Sequence, residues 1–114
     1  MFRDYRLDDA TITKLTIEKG VVRLLVRNWR DENDVLIFGD VVGVESMSFI
    51  NTDLSHGLES ESDDFLDRCC TVGEEAASEY RCFLFFSAWQ ETPILKIVAR
   101  SFAVGEFASD ETDP

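Results

Sequence analysis

The chain has 114 residues, of which 45% are hydrophobic, and this length and composition fit one folded domain with its own core. Its formal net charge is −12, from 23 acidic and 11 basic residues. Because phosphate backbones and anionic lipid headgroups repel such a surface, we expect neither nucleic-acid binding nor membrane docking. Residues 1–6 are charged and precede no apolar run of the signal-peptide type, so we expect a cytoplasmic protein.

The first half of the chain predicts four strands joined by short polar turns. β-branched residues recur at alternating positions in the first strand, and the second alternates apolar side chains with Arg23 and Arg27. Such alternation indicates strands with one solvated face, and the four together predict an antiparallel meander. The predicted strands are 10–19, 21–29, 35–38 and 41–50, after a polar lead-in at 1–9.

The second half begins with a polar segment, 51–61, which predicts a loop with room for a short edge strand. A helix is expected over 63–70, because apolar residues fall on one helical face and acidic residues occupy its first turn. Ser60 or Ser62 is the expected N-cap, and Gly73 the expected end.

The strongest core signal is the unbroken apolar run 82–86, within a predicted strand 81–89. A strand that is apolar on both faces needs cover on both, so we place it centrally in the sheet. The helix is expected on one face, and a curled sheet or a partner subunit on the other. An alternating segment, 94–102, predicts the last strand.

The predicted fold class is therefore α+β and mainly β. It comprises one antiparallel sheet of about six strands, a meander followed by a C-terminal hairpin, with one helix packed on one face. We expect a single domain over residues 1–104. Residues 105–114 are rich in acidic side chains and predict a flexible tail.

Few residues suit catalysis. The one histidine, His56, is expected to be solvated in the polar loop, and one histidine is too few for a multi-histidine zinc site. The six glycines are scattered singly, so no phosphate-binding loop is predicted. Acid–base chemistry by two carboxylates stays open, but no spacing selects a pair. We therefore predict no enzyme activity, no cofactor and no metal site.

The three cysteines, Cys69, Cys70 and Cys82, form no C-x-x-C motif. Adjacent residues sit poorly for a mutual disulfide, so free thiols in a reducing compartment are expected. Their positions on the apolar helix face and in the Phe-rich strand favour core thiols over metal binding or redox chemistry. Trp29 and Trp89 each close a predicted strand, and we favour the core over an interface for both.

Acidic residues concentrate within fifteen positions that contain no lysine or arginine. A solvated loop and helix start is the simplest interpretation. The functional alternative is an anionic docking patch for a basic protein. Incidental binding of divalent cations is a third interpretation. The candidate partner-binding residues are Asp53, Glu59, Glu61, Asp63, Asp64 and Asp67.

Several short segments together carry a resemblance to a known kind of domain. They are Leu7-Asp8-Asp9-Ala10-Thr11-Ile12, the strand from Val22 to Trp29 with its end Asn28-Trp29-Arg30-Asp31, Leu36-Ile37-Phe38, Val44-Glu45-Ser46 and Phe85-Phe86-Ser87-Ala88-Trp89. These segments resemble a type of small bacterial cytoplasmic domain that is similar to some immunity proteins of polymorphic toxin systems. The resemblance covers residues 7–102 and rests on structural motifs, so it transfers no functional residue. It implies a small binding protein, with neutralisation of a toxin as one form of that function.

Two functional hypotheses follow. The first is a non-catalytic protein-binding module, in its most concrete form an immunity-type inhibitor whose acidic surface occupies the basic cleft of a toxin or nuclease. The second is a structural or assembly protein acting as a homodimer, in which a second subunit covers the apolar run 82–86.

Overall fold

The computed structural model describes residues 2–47, 50–88 and 91–106, and these form eight strands and one α-helix. Short 3₁₀ turns lie at Phe2–Asp4 and Ala77–Glu79. The helix is α1, Asp64–Val72. The strands are β1 Thr11–Glu18, β2 Val21–Arg27, β3 Asn33–Gly39, β4 Gly43–Ser46, β5 Leu54–Ser60, β6 Arg81–Ser87, β7 Pro93–Ala99 and β8 Ser101–Glu106.

The strands form two four-stranded antiparallel sheets, which corrects the predicted single sheet of about six. The first sheet has the order β1-β2-β3-β8 and the second the order β4-β7-β6-β5. The mainly β composition, the antiparallel pairing and the single described helix are as predicted. The meander holds only for β1 to β3, because the chain then crosses to the second sheet and β4 pairs with β7.

The second crossing divides the predicted strand 94–102 at Arg100. β7 ends one residue before Arg100 and β8 begins one residue after it, so one alternating segment serves both sheets. The Arg100 amide donates to the Gly39 carbonyl at 3.0 Å, which ties this corner to the end of β3. Alternation is unbroken across the corner, so the sequence pattern does not mark the division.

The main core lies between the inner faces of the two sheets and is rich in phenylalanine. Phe2 is only 2% exposed, and its ring lies 5.2 Å from that of Phe83 and 5.3 Å from that of Phe85, centroid to centroid. The predicted polar lead-in is therefore wrong: Phe2 and Leu7 are core residues, concealed in the sequence by their charged neighbours.

Gly57 of β5 is the contact point for this N-terminal segment. A Cβ at this position would lie 2.6 Å from Leu7 Cδ1 and 2.7 Å from Phe2 Cζ, which is closer than side chains tolerate. The absence of a side chain on Gly57 therefore lets the first residues of the chain seal one end of the core.

β6 lies between β5 and β7, as its apolar run predicts. Phe83 and Phe85 belong to the core between the sheets, while Cys82 and Leu84 belong to a second, smaller core beneath α1. The first sheet and the helix therefore cover both faces of β6 within one chain. No partner subunit is needed for that purpose.

β5 lies in the segment 51–61, which was predicted as a loop with room for a short edge strand. It is an edge strand that begins at Leu54, but its seven residues take up most of the predicted loop. The segment pairs with β6 over its whole strand length, from Leu54 opposite Ser87 to Ser60 opposite Cys82. Its composition is polar and contains glycine, so local propensity disfavours a strand; backbone pairing with a strongly formed neighbour overrides it.

The folded domain extends beyond its expected C-terminal boundary at residue 104. β8 continues to Glu106, so the first two residues of the predicted tail, 105–114, are paired with Val35 and Asp34. Residues 107–114 of that tail lie outside the described residues. Among the described residues, no helix is long and apolar enough to cross a membrane.

Candidate protein-binding surface

Helix α1 is positioned by its caps and by its apolar face. The Asp63 carboxylate accepts from the Phe65 amide at 2.8 Å, so Asp63 is the N-cap instead of the expected Ser60 or Ser62. Gly73 ends the helix, as predicted. Leu66 and Cys70 face the second sheet and are buried there.

Gly43 of β4 lets the helix approach the sheet closely. A Cβ at Gly43 would overlap the Sγ of Cys69 and would lie 3.2 Å from Phe65 Cζ. Val42, which directly precedes β4 and is partly buried, packs against the same small core. The helix is thus held against the start of β4, and its opposite flank stays open to solvent.

The predicted acidic residues do not form one patch. Asp53 precedes β5 at its far end, about 20 Å of strand away from Glu59 and Glu61, and accepts a hydrogen bond from the Thr11 hydroxyl at 3.3 Å. Asp53 therefore belongs to the contact between β1 and β5. The remaining five candidates gather at the opposite end of β5 and along α1.

Two strand cations, Arg81 and Lys96, form ion pairs with three of those five. The Arg81 guanidinium lies 3.8 Å from Glu59 and 3.2 Å from Glu61. Lys96 Nζ lies 3.3 Å from the Asp63 carboxylate, and both side chains are largely shielded, at 19% and 20% exposure. Sequence reasoning missed these partners, because β6 and β7 bring them from positions far along the chain.

Asp64 and Asp67 remain, exposed on α1, and make no ion pair with another described residue. They lie on a strongly acidic part of the chain: residues 59–79 contain eight acidic residues and one basic residue, Arg68. Arg68 is itself paired with Glu45 at 3.5 Å. The solvent side of α1 therefore carries a net negative field.

An apolar groove of about 620 Å³ runs along the flank of α1 that faces Val42, and it borders the acidic solvent side of the helix at Asp67. Val72 stands at its end and is 86% exposed, the highest value among the large hydrophobic side chains that the structure describes. Asp67 lies in the groove wall, and Asp64 lies one helical turn before it on the same side. The groove is lined by Val42, Phe65, Asp67, Arg68, Cys69, Thr71, Val72 and Gly73. We call this groove, together with Asp64, the α1 face.

The cysteines contribute packing to this region. Burial raises the pKa of the Cys82 thiol to about 12, and burial likewise raises the pKa values of Cys69 and Cys70. Cys70 and Cys82 are buried, as expected for core thiols, while Cys69 reaches the groove. Because the thiolate is the form that attacks electrophiles and binds metals, these raised values favour a packing role.

His56 lies on β5 and not in a loop. Its ring stacks on Phe86 at 4.5 Å between centroids, with the planes 6° apart, and it remains exposed. Ser55 Oγ lies 2.5 Å from its Nδ1. No group of three or more potential metal ligands occurs among the described residues.

Trp29 is not in the core, contrary to the sequence expectation. It is 43% exposed, and the guanidinium groups of Arg6 and Arg30 lie 4.2 and 4.6 Å from the ring centroid. The side-chain oxygen of Asn28 accepts from the Arg30 amide at 2.9 Å and fixes this turn. Trp89 lies outside the described residues.

Comparisons with known proteins returned nothing. No family model matches the chain, and neither a curated protein nor a solved structure matches it.

Proposed function

We propose that this chain is a non-catalytic protein-binding module that holds a basic segment of a partner protein on the α1 face. The observation that supports this function is the coincidence of an open apolar groove with exposed carboxylates at Asp64 and Asp67. Protein interfaces commonly combine an apolar centre with a polar rim, and this face offers both.

The chemistry of the face defines the partner. An apolar side chain from the partner would fill the groove against Phe65 and Val72, and burial of that side chain would supply most of the affinity. Lysine or arginine side chains on either side would meet Asp64 and Asp67. These exposed charges would mainly raise the association rate, and salt would weaken that effect.

An immunity-type inhibitor is the most concrete form of this proposal. A toxin that acts on nucleic acid needs a cationic cleft, and an acidic face of this kind is complementary to such a cleft. The resemblance of residues 7–102 to immunity proteins agrees with this form. The proposal assigns no catalytic residue, because binding over the toxin's cleft is sufficient to inhibit it.

Comparative affinity capture tests the proposal. The wild-type chain, Val72→Asp and the double variant Asp64→Asn/Asp67→Asn are immobilised and exposed to lysate of the source cells at low salt. Ile17→Asp, at another exposed aliphatic residue, and Glu18→Gln/Glu32→Gln, on the first-sheet side, are the matched controls.

We expect a basic protein that both controls retain. We also expect Val72→Asp to lose it, and Asp64→Asn/Asp67→Asn to retain at least tenfold less of it. The proposal fails if every captured protein binds all five chains equally. It also fails if the captured proteins are lost only with the control variants.

A further inference from the structure

The first sheet has a side that belongs to neither core. Leu24 and Leu36 lie in the core between the sheets, so Leu25 and Val35, which alternate with them, point to the opposite side. Leu25 and Val35 are buried, although neither core includes them. Helix α1 packs on the second sheet, so no described helix lies over this side of the first. The outward side of the first sheet therefore has an apolar centre of its own.

The strand registers arrange the side chains of this outward side in two rows across the four strands. Residues directly opposite one another in antiparallel strands lie on the same face. We call the eight residues of these two rows the outer face. From β1 to β8, the first row is Lys14, Leu25, Val35 and Gly105, and the second row is Thr16, Arg23, Ile37 and Ala103.

The outer face is basic, although the chain as a whole is acidic. Lys14 and Arg23 lie on it, and neither forms an ion pair with another described residue. Arg27 lies further along β2 on the same side, 3.7 Å from the exposed carboxylate of Asp31. On this side of the four strands, Glu18 is the one acidic residue. Three cations and one carboxylate around an apolar centre favour an anionic occupant.

We propose that the segment 107–114 of the same chain binds the outer face. This segment lies outside the described residues and directly follows β8, which carries one end of both rows. It contains Asp110, Glu111 and Asp113 and no basic residue, so its charge is opposite to that of the outer face. Its aromatic residue, Phe107, supplies an apolar side chain for the centre of the face.

The length of the segment is sufficient for this contact. Neighbouring strands lie about 4.8 Å apart, so Lys14 on β1 lies roughly 14 Å across the sheet from β8. Eight residues in extended conformation span up to about 26 Å. The segment can therefore reach Lys14, and it can reach Arg23 on β2, which is nearer to β8.

The connection to β8 favours this segment over a separate acidic partner. A short flexible connection gives an effective concentration on the order of millimolar. A second copy of the chain could offer its acidic α1 face, but it would have to approach against the repulsion between two chains of net charge −12. The proposal is independent of the proposed function, because α1 packs on the second sheet and the outer face belongs to the first.

Cross-linking of the full chain with a water-soluble carbodiimide tests the proposal at 0.15 M salt. The reagent joins a lysine amine to a carboxylate that it contacts, and mass spectrometry of the digested protein identifies the pair. We expect at least fivefold more links to residues 107–114 from Lys14 than from Lys19, which is exposed on the turn between β1 and β2. At 1 M salt, where charges are screened beyond about 3 Å, the Lys14 links should fall at least fivefold.

A mixture of isotope-labelled and unlabelled chains shows which chain supplies the carboxylate. We expect the Lys14 links to join peptides of the same chain. Links between labelled and unlabelled peptides would overturn the proposal in favour of a second copy. A chain that forms no link between Lys14 and residues 107–114 would also overturn it.

Amide chemical shifts locate the contact without a cross-link. Two triple variants each remove three negative charges, one from the segment 107–114 and the other, the matched control, from the α1 side. We expect the first variant to shift the amide resonances of the outer face on β1, β2 and β3, and the control to leave them in place. Outer-face resonances that do not move in the first variant would contradict the proposal. The variants are D110N/E111Q/D113N and D64N/D67N/E74Q.

Discussion

At the scale of single residues, the N-terminal seal depends on a glycine that the surrounding sequence does not single out. Phe2 and Leu7 both approach the position that a Gly57 side chain would occupy. The pattern of residues 1–9 could not reveal this, because charged residues surround the two apolar ones. The long-range contact with β5 decides their burial, and no local periodicity records a contact of that kind.

The substitution Gly57→Ala is expected to destabilise the fold by about 1–3 kcal/mol, because the new methyl group must displace Phe2 or Leu7. Urea denaturation followed by tryptophan fluorescence measures the change. Gly73→Ala is the matched control: its nearest atom is the Cys69 carbonyl oxygen at 3.4 Å, and its φ of −84° suits alanine. Equal costs for the two substitutions would refute the proposed packing of the N-terminal segment.

The raised thiol pKa of Cys82 predicts a loss of stability in alkali. The unfolded chain releases the Cys82 proton near the usual pKa of 9.0, whereas the folded chain holds it to about 12. Stability is therefore complete below pH 9 and declines as the pH rises from 9 toward 12.

Cys82→Ser removes the titrating thiol. The slope of unfolding free energy against pH above 9 should then become shallower by roughly 1 kcal/mol per pH unit. Urea midpoints at closely spaced pH values give this slope for both chains. Identical slopes would show that the thiol is not protected from ionisation in the folded state.

At the scale of elements, Asp63 has two roles that the acidic cluster concealed. Its carboxylate caps α1 at the Phe65 amide and pairs with Lys96 of β7. The helix itself was predictable from its apolar spacing, and so was its end at Gly73. The N-cap residue was not predictable, because Ser60, Ser62 and Asp63 could each cap the helix. The position of Lys96 on the sheet beneath the helix favours Asp63.

Asp63→Ala should cost about 1–2 kcal/mol of unfolding free energy, because it removes the cap and the ion pair together. Asp63→Asn should cost less, since the amide oxygen still accepts from Phe65. Asp64→Ala, at an exposed neighbour, should stay within about 0.5 kcal/mol. Thermal and urea unfolding both report these differences. The assignment of the cap is wrong if Asp64→Ala costs more than Asp63→Ala.

Sequence patterns alone were sufficient to place some of the strands. β1, β2 and β6 lie close to their predicted positions, because alternation or a continuous apolar run is a local signal. The length of β5 was missed, because pairing with β6 fixes this strand and its polar sequence does not. The division of 94–102 at Arg100 was also missed, because both halves keep the same alternation while they join different sheets.

At the scale of the whole molecule, the distribution of charge follows the layers. Strand cations such as Arg81 and Lys96 pair with the acidic residues nearest the sheet, and the outward side of α1 keeps its carboxylates. The sequence showed which segment is acidic, but not which of its acidic residues pair with strand cations and which stay exposed. The groove beside Val72 had one signal in the sequence, an apolar residue at the solvent side of the last helical turn.

Hydrogen exchange on the complex with the partner recovered by capture tests the central claim most directly. The account predicts that amides of residues 65–73 exchange at least tenfold more slowly in the complex than in the free chain, with smaller changes across the first sheet. Protection confined to β1, β2 or β8, with residues 65–73 unchanged, would contradict the assignment of the α1 face as the binding surface.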